Sequence, residues 1–111
     1  PDLKMYRDSG RGNAIEYGAI KAGLAQATRY IASLGGRHGV RCNSISPGPF
    51  PRPGTFDNGF EWFKEELSER TMLGRPGEAH EIKGVIAFLA SDLSSYVTGV
   101  DIPVDAGWTS W

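Results

Sequence analysis

The sequence predicts an α/β fold around a pair of parallel strands. Three observations carry this. Apolar residues recur at spacings of three and four over residues 14–34 and again over 78–90, the period of a half-buried helix. Two short β-compatible runs, 39–46 and 100–104, are bounded by Gly and Pro. More than fifty residues, with helical patterns among them, separate these runs. Strands joined by so long a crossover lie parallel.

In the first helix Tyr17, Ile20, Leu24, Ala27, Ile31 and Leu34 form one stripe. Asn13 is a credible N-cap, Glu16 completes a weak capping box, and Gly35-Gly36 supplies the stop. Gly18, Ala22 and Ala25 make a second face of small residues. That face admits a close neighbour, so the helix is expected to pack on two sides. The first strand covers residues 39–46 and places Cys42 in a buried position. Pro47, Pro49, Pro51 and Pro53 then crowd together with Gly48 and Gly54. No regular element survives that density, so an ordered loop is expected.

Residues 58–69 read as a short amphipathic helix, with Phe60, Phe63 and Leu67 on one side. Gly74-Arg75-Pro76-Gly77 is a turn. The helix over 78–90 carries the stripe Ala79, Ile82, Ile86 and Leu89, and Glu78 and Glu81 suit its first turn. Last, Val100, Ile102 and Val104 alternate with polar residues and Pro103, which fits an edge strand. Two strands cannot cover both faces of a sheet. The opening residues 1–13, Pro1 to Asn13, read as a polar surface loop with no strand before it. The chain is therefore expected to be part of a longer one.

Composition removes several function classes. Lys+Arg 12 against Asp+Glu 13 leaves no basic face for nucleic acid or a polybasic membrane contact. One cysteine allows no internal disulfide, and with two histidines it makes no Cys/His zinc cluster. No apolar run approaches the ~20 residues that span a bilayer. The opening residues carry no charged region followed by an apolar stretch, so no secretory signal is expected. His80-Glu81-Ile82-Lys83-Gly84 starts like a zinc-protease motif but has glycine where the second histidine belongs. The expected partner is a small molecule, with no metal, and the expected location is cytoplasmic.

The sharpest chemical arrangement is Tyr17-Gly18-Ala19-Ile20-Lys21. Residues i and i+4 share a helix face. An ammonium near a phenol favours the phenolate, which suits tyrosine to general acid–base work. Read alone, the pair is common by chance and better fits a buried tyrosine in the stripe beside an exposed lysine. The motifs that follow change that weight. They are Asn43-Ser44-Ile45-Ser46-Pro47-Gly48, Gly74-Arg75-Pro76, the run from Ala90-Ser91-Asp92 to Thr98-Gly99, and Val104-Asp105-Ala106-Gly107-Trp108-Thr109. In this order and spacing they resemble the C-terminal half of the short-chain dehydrogenase/reductase family over essentially residues 13–111.

The resemblance implies one NAD(P)-binding domain, of which residues 1–111 are the C-terminal half. Its fold is a Rossmann-like, doubly wound parallel sheet, incomplete in this chain. It implies NAD or NADP as cofactor and hydride exchange with a secondary alcohol or carbonyl compound, with a sugar, sugar acid or polyol as substrate. Tyr17 would exchange the proton. Lys21 would hold the nicotinamide ribose and favour the Tyr17 phenolate. Pro47, Gly48, Pro49 and Phe50 would turn the chain beneath the nicotinamide. Residues 47–75 would form a substrate lid carrying Phe56, Phe60 and Phe63, with Arg52 and Asn58 as candidate polar contacts. A homotetramer is the family expectation.

Departures are visible. Thr55 follows a longer Pro-rich stretch than the usual threonine does. Asp105-Ala106-Gly107 replaces the commoner Asp-Gly-Gly. Lys4 stands thirteen residues before Tyr17, where the catalytic serine commonly lies. Residues 1–13 resemble an insertion that moves that serine further upstream, and Ser9 is a poor substitute. Gly10-Arg11-Gly12 lacks both the preceding strand and the third glycine of a phosphate-binding turn. The alternative reading is a non-catalytic fragment or family member that serves as an oligomerisation or interaction module.

Overall fold

The computed structural model describes residues 15–57 and 61–110. The opening loop, Ser9, the Asn13 cap, Asn58 and Phe60 lie outside the described residues. In chain order the elements are α1 (Ile15–Gly35), a 3-10 turn (Gly36–His38), β1 (Ser44–Pro47), α2 (Glu61–Glu69), α3 (Lys83–Ala90), a second 3-10 turn (Asp92–Ser94) and β2 (Asp101–Val104). The strands pair in parallel, with Ser44 opposite Asp101 and Pro47 opposite Val104. The α/β class and the parallel pair are as expected. The architecture matches an incomplete Rossmann-like sheet.

The first helix keeps its expected length but not its expected burial. Its packed side is the small one: Thr28 and Ala32 are buried, and Gly18 and Ala25 are half-buried. Ala22 is exposed, and a Cβ at Gly18 would meet nothing within 4 Å. The large apolar stripe faces outward, with Ile20 66% and Leu24 57% exposed. Thr28 donates its hydroxyl to the Leu24 carbonyl, which satisfies it inside the helix. Gly39, not Gly35 or Gly36, takes the left-handed conformation that turns the chain toward β1.

Two expected boundaries are corrected. The first strand starts at Ser44, not at residue 39, and includes Pro47. The preceding residues spend their hydrogen bonds on the segment ahead of β2. Cys42 donates its N–H to Thr98 Oγ1, and its carbonyl accepts from Gly99. Arg41 donates to the carbonyls of Leu89, Ser91 and Val97. Asn43 bonds Val97 and Val100 through its amide. Cys42 is therefore half-buried ahead of the strand rather than buried within it. The last helix starts at Lys83, not at residue 78. The Glu81 carboxylate folds back to accept the Glu78 N–H at 2.8 Å. Two three-residue turns, Glu81 to Glu78 and Lys83 to His80, fill the expected first helical turns. Of its stripe, Ile82 and Leu89 are half-buried, while Ala79 and Ile86 are exposed.

The strand pair has a polar face. Side chains two apart on a strand point the same way, so Ser44 and Ser46 stand together. Both hydroxyls donate to the Asp101 carboxylate, at 2.7 and 2.8 Å. Among the described residues the buried positions are scattered: Thr28 and Ala32 on α1, Leu67, Thr71 and Pro76 in and after α2, and Ser94, fully buried, in the second 3-10 turn. None of the helices in the described residues is long and apolar enough to cross a membrane.

Candidate functional site

Helix α1 holds Tyr17 and Lys21 one turn apart. The lysine ammonium lies over the tyrosine ring, 5.5 Å from its centroid, within cation–π range. Tyr17 is 54% exposed, and Lys21 is exposed as well. The pair thus forms an accessible donor set. An ammonium offers hydrogen-bond donors only, and a phenol both donates and accepts. Such a set can bind hydroxyl groups.

The loop after β1 forms the second part of the site. Gly48 extends the ladder by donating its N–H to the Val104 carbonyl at 2.9 Å. Its Cα lies so close to Asp105 that an added Cβ would stand 2.6 Å from the Asp105 Cα. Only glycine permits that approach, because backbone cannot yield as a side chain can. Pro49 accepts the Gly77 N–H at 2.9 Å. The Phe50 ring rests on Gly77, where a Cβ would come within 2.6 Å of a ring carbon. Together, Pro49, Phe50, Leu73, Arg75, Val104 and Ala106 line much of a cavity of about 80 Å³.

The segment between β1 and α3 carries an aromatic cluster. Phe56 and Phe63 lie 6.4 Å apart at a tilt, and Trp62 meets Phe63 edge-on at 5.6 Å. Trp62 is 53% exposed and extends the cluster outward. After α2 the chain meets the turn beyond β2 at Met72, whose N–H donates to the Ala106 carbonyl at 2.8 Å. Thr71 Oγ1 accepts the Arg75 N–H and lies within hydrogen-bond distance of the Ser68 and Arg75 carbonyls. Thr55 sits in a turn, donating its N–H to Arg52. Arg52 is exposed.

An ion pair that the sequence reading missed fixes the turn beside Phe50. Arg75 grips Glu81 with two guanidinium nitrogens, at 2.8 and 2.6 Å. Glu81 is pulled well below the carboxylate range, to about 2, first by the Arg75 hydrogen bonds and next by the Glu78 N–H. The same contact raises the Arg75 pKa. The available signal was Glu81 three residues after Glu78, the spacing by which a carboxylate caps a turn.

Among the described residues, no hydrogen bond, ion pair or ring contact joins Tyr17 or Lys21 to residues 47–50. The structure thus brings Tyr17 to Lys21, and residues 47–50 to Gly77 and Asp105. It makes no direct link between the two groups.

A family model described as enoyl-(acyl carrier protein) reductase matches residues 5–109. The chain belongs to the short-chain dehydrogenase/reductase family. It is 39% identical to cyclohexanol dehydrogenase from a Rhodococcus species over 104 residues, which cover 94% of this chain and 38% of that enzyme. Gluconate 5-dehydrogenase from Burkholderia cenocepacia, solved with NADP and tartrate, superposes with a TM-score of 0.81 at 32% identity, covering 91% of this chain and 40% of that one. A 4-hydroxyisoleucine dehydrogenase complexed with NADH gives a TM-score of 0.78 at 30% identity, covering 86% and 40%. The chain therefore spans about two fifths of the length of these short-chain dehydrogenase/reductase relatives.

Proposed function

We propose that this chain supplies the acid–base and lid portion of a nicotinamide-dependent oxidoreductase acting on a secondary alcohol or its carbonyl partner. The carrying observation is the Tyr17–Lys21 pair on one accessible helix face, with the ammonium 5.5 Å from the ring centroid. Family membership supports this reading, and so do similar proteins named as alcohol and sugar-acid dehydrogenases.

The nicotinamide, NAD or NADP, accepts or donates hydride when bound. Tyr17 passes the proton to or from the substrate oxygen through its hydroxyl. Lys21 binds ribose hydroxyls through its ammonium, which stands beside Tyr17 on the same helix face. Residues 47–50 give the nicotinamide a floor held by Gly77 and Asp105. Phe56, Trp62 and Phe63 cover the substrate and exclude water. The similarity to a gluconate 5-dehydrogenase supports a sugar, sugar acid or polyol as substrate. We place the protein in the cytoplasm, as a homotetramer.

Tyr17→Phe removes the proton carrier and leaves the lysine in place. Turnover should fall by roughly two to four orders of magnitude. Nicotinamide binding, followed by fluorescence of the reduced cofactor, should change little. Near-wild-type turnover in this variant would remove Tyr17 from the mechanism.

One observation favours a second reading, an assembly module without catalysis. The apolar stripe of α1 is open, with Ile20, Leu24, Ile31 and Leu34 each about half exposed or more. Assembly with no nicotinamide binding would support that reading.

A further inference from the structure

The turn after β2 holds its backbone in a costly shape. Ala106 has φ 54°, the only positive value at a non-glycine among the described residues. A β-carbon disfavours that conformation, so the surroundings must impose it. The Asp105 carboxylate does so. One oxygen accepts the Gly107 N–H at 3.0 Å, and the other accepts the Thr109 N–H at 3.1 Å and its hydroxyl at 2.7 Å. The Asp105 carbonyl also takes the Trp108 N–H at 3.1 Å.

This shape has two consequences, on opposite ends of the lid segment. At its start, the Asp105 backbone sits against Gly48, leaving no room for a side chain there. Near its end, the Ala106 carbonyl accepts the Met72 N–H at 2.8 Å. The bare Gly107 Cα then lies under the Met72 side chain, so that a Cβ there would stand 2.5 Å from Sδ. One short turn therefore touches Gly48 and Met72 at once. An ordinary chain reversal after β2 would need neither contact.

We propose that the 105–109 turn is a clasp for the lid, and that Met72 and Gly107 are positioning residues that set substrate affinity. The clasp fixes the two ends of the segment that carries α2 and the aromatic cluster. Its loosening leaves the lid attached through Gly77 and Thr71 but free to open. The proposal rests on reading residues 47–75 as a substrate lid.

Two variants of the full-length protein test it. Met72→Ala removes the sulfur contact from a half-exposed side chain and keeps the N–H bond. Gly107→Ala forces Met72 to move. Each variant is compared with wild type by deuterium uptake of the α2 amides, by KM and kcat for the alcohol, by nicotinamide affinity and by thermal melting. Loss of one such contact should speed α2 uptake roughly fivefold. KM for the alcohol should rise by a similar factor, with kcat and nicotinamide affinity changing less. A turn of purely structural importance would lower the melting temperature without that KM-against-kcat split. Wild-type α2 uptake and wild-type KM in Met72→Ala overturn the clasp, whether or not Gly107→Ala folds. If wild type oxidises no alcohol with either nicotinamide, the dehydrogenase reading fails, and α2 uptake alone then decides the clasp.

Discussion

The Tyr17 end of α1 and the junction around Gly48 are held in opposite ways. At the junction, nearly every contact is internal and directional. Gly48, Pro49, Met72, Gly77 and Asp105 are tied by backbone bonds of 2.8 to 2.9 Å, by the Asp105 carboxylate at 3.0 Å, or by close approaches that exclude a β-carbon. On α1, the side-chain contact of Tyr17 and Lys21 among the described residues is with each other, and the large apolar residues point outward. The contrast teaches that a loop junction can be built locally from hydrogen bonds and glycines. A polar pair on an open helix face depends instead on whatever is brought against it.

The largest expected difference between the two regions is chemical. Lys21→Ala should reduce nicotinamide affinity by about tenfold or more, since a hydrogen bond to a charged group contributes about 1.5–3 kcal/mol. It should leave the melting temperature near wild type, because Lys21 is exposed. Titration of the reduced cofactor checks this. A large drop in melting temperature with unchanged affinity would make Lys21 structural.

A pair of glycine substitutions comes next. Gly48→Ala drives a β-carbon into backbone and should destabilise by about 1–3 kcal/mol. Gly18→Ala meets open space in a helix and should stabilise by up to about 1 kcal/mol. Chemical denaturation of both variants reads the comparison directly. Equal effects would mean that the two sites are packed alike. Ala106→Gly should be stabilising by up to about 1 kcal/mol, by relieving the left-handed alanine. An unchanged or lowered melting temperature would mean that φ 54° costs nothing there.

The smallest effect concerns acid. The folded pKa of Glu81 lies below its ordinary value of 4.5, at about 2. Its contribution is therefore fully present above the ordinary carboxylate range and is lost as pH falls through about 2. The Arg75–Glu81 pair is solvent-accessible, so the contribution is modest. Glu81→Gln should be less stable than wild type near neutral pH, and the two should converge below about pH 2. Identical stability at neutral pH would show that the fork does not hold its turn.

Periodicity and motif order made the class of fold legible, with α1 almost residue for residue and the parallel strands. Burial was not legible on α1. A stripe of Ile and Leu states which side is apolar, not whether anything covers it. The start of α3 was misplaced because Glu81 serves a turn rather than a helix, and its Arg75 partner lies six residues away. The early start given to the first strand has a similar cause, since Arg41, Cys42 and Asn43 bond to residues more than forty positions on. The Tyr17–Lys21 pair was legible because i and i+4 are neighbours on any helix. The clasp was not, because its shape depends on a backbone angle and on Met72 arriving from the lid.

The most direct test of the account is hydride transfer itself. The protein is incubated with oxidised NAD or NADP and a secondary alcohol, gluconate among the choices, deuterated at the carbinol carbon. The account predicts reduced nicotinamide carrying that deuterium, formed by wild type and nearly abolished in Tyr17→Phe. Reduced nicotinamide without deuterium, or equal formation in both proteins, would contradict it.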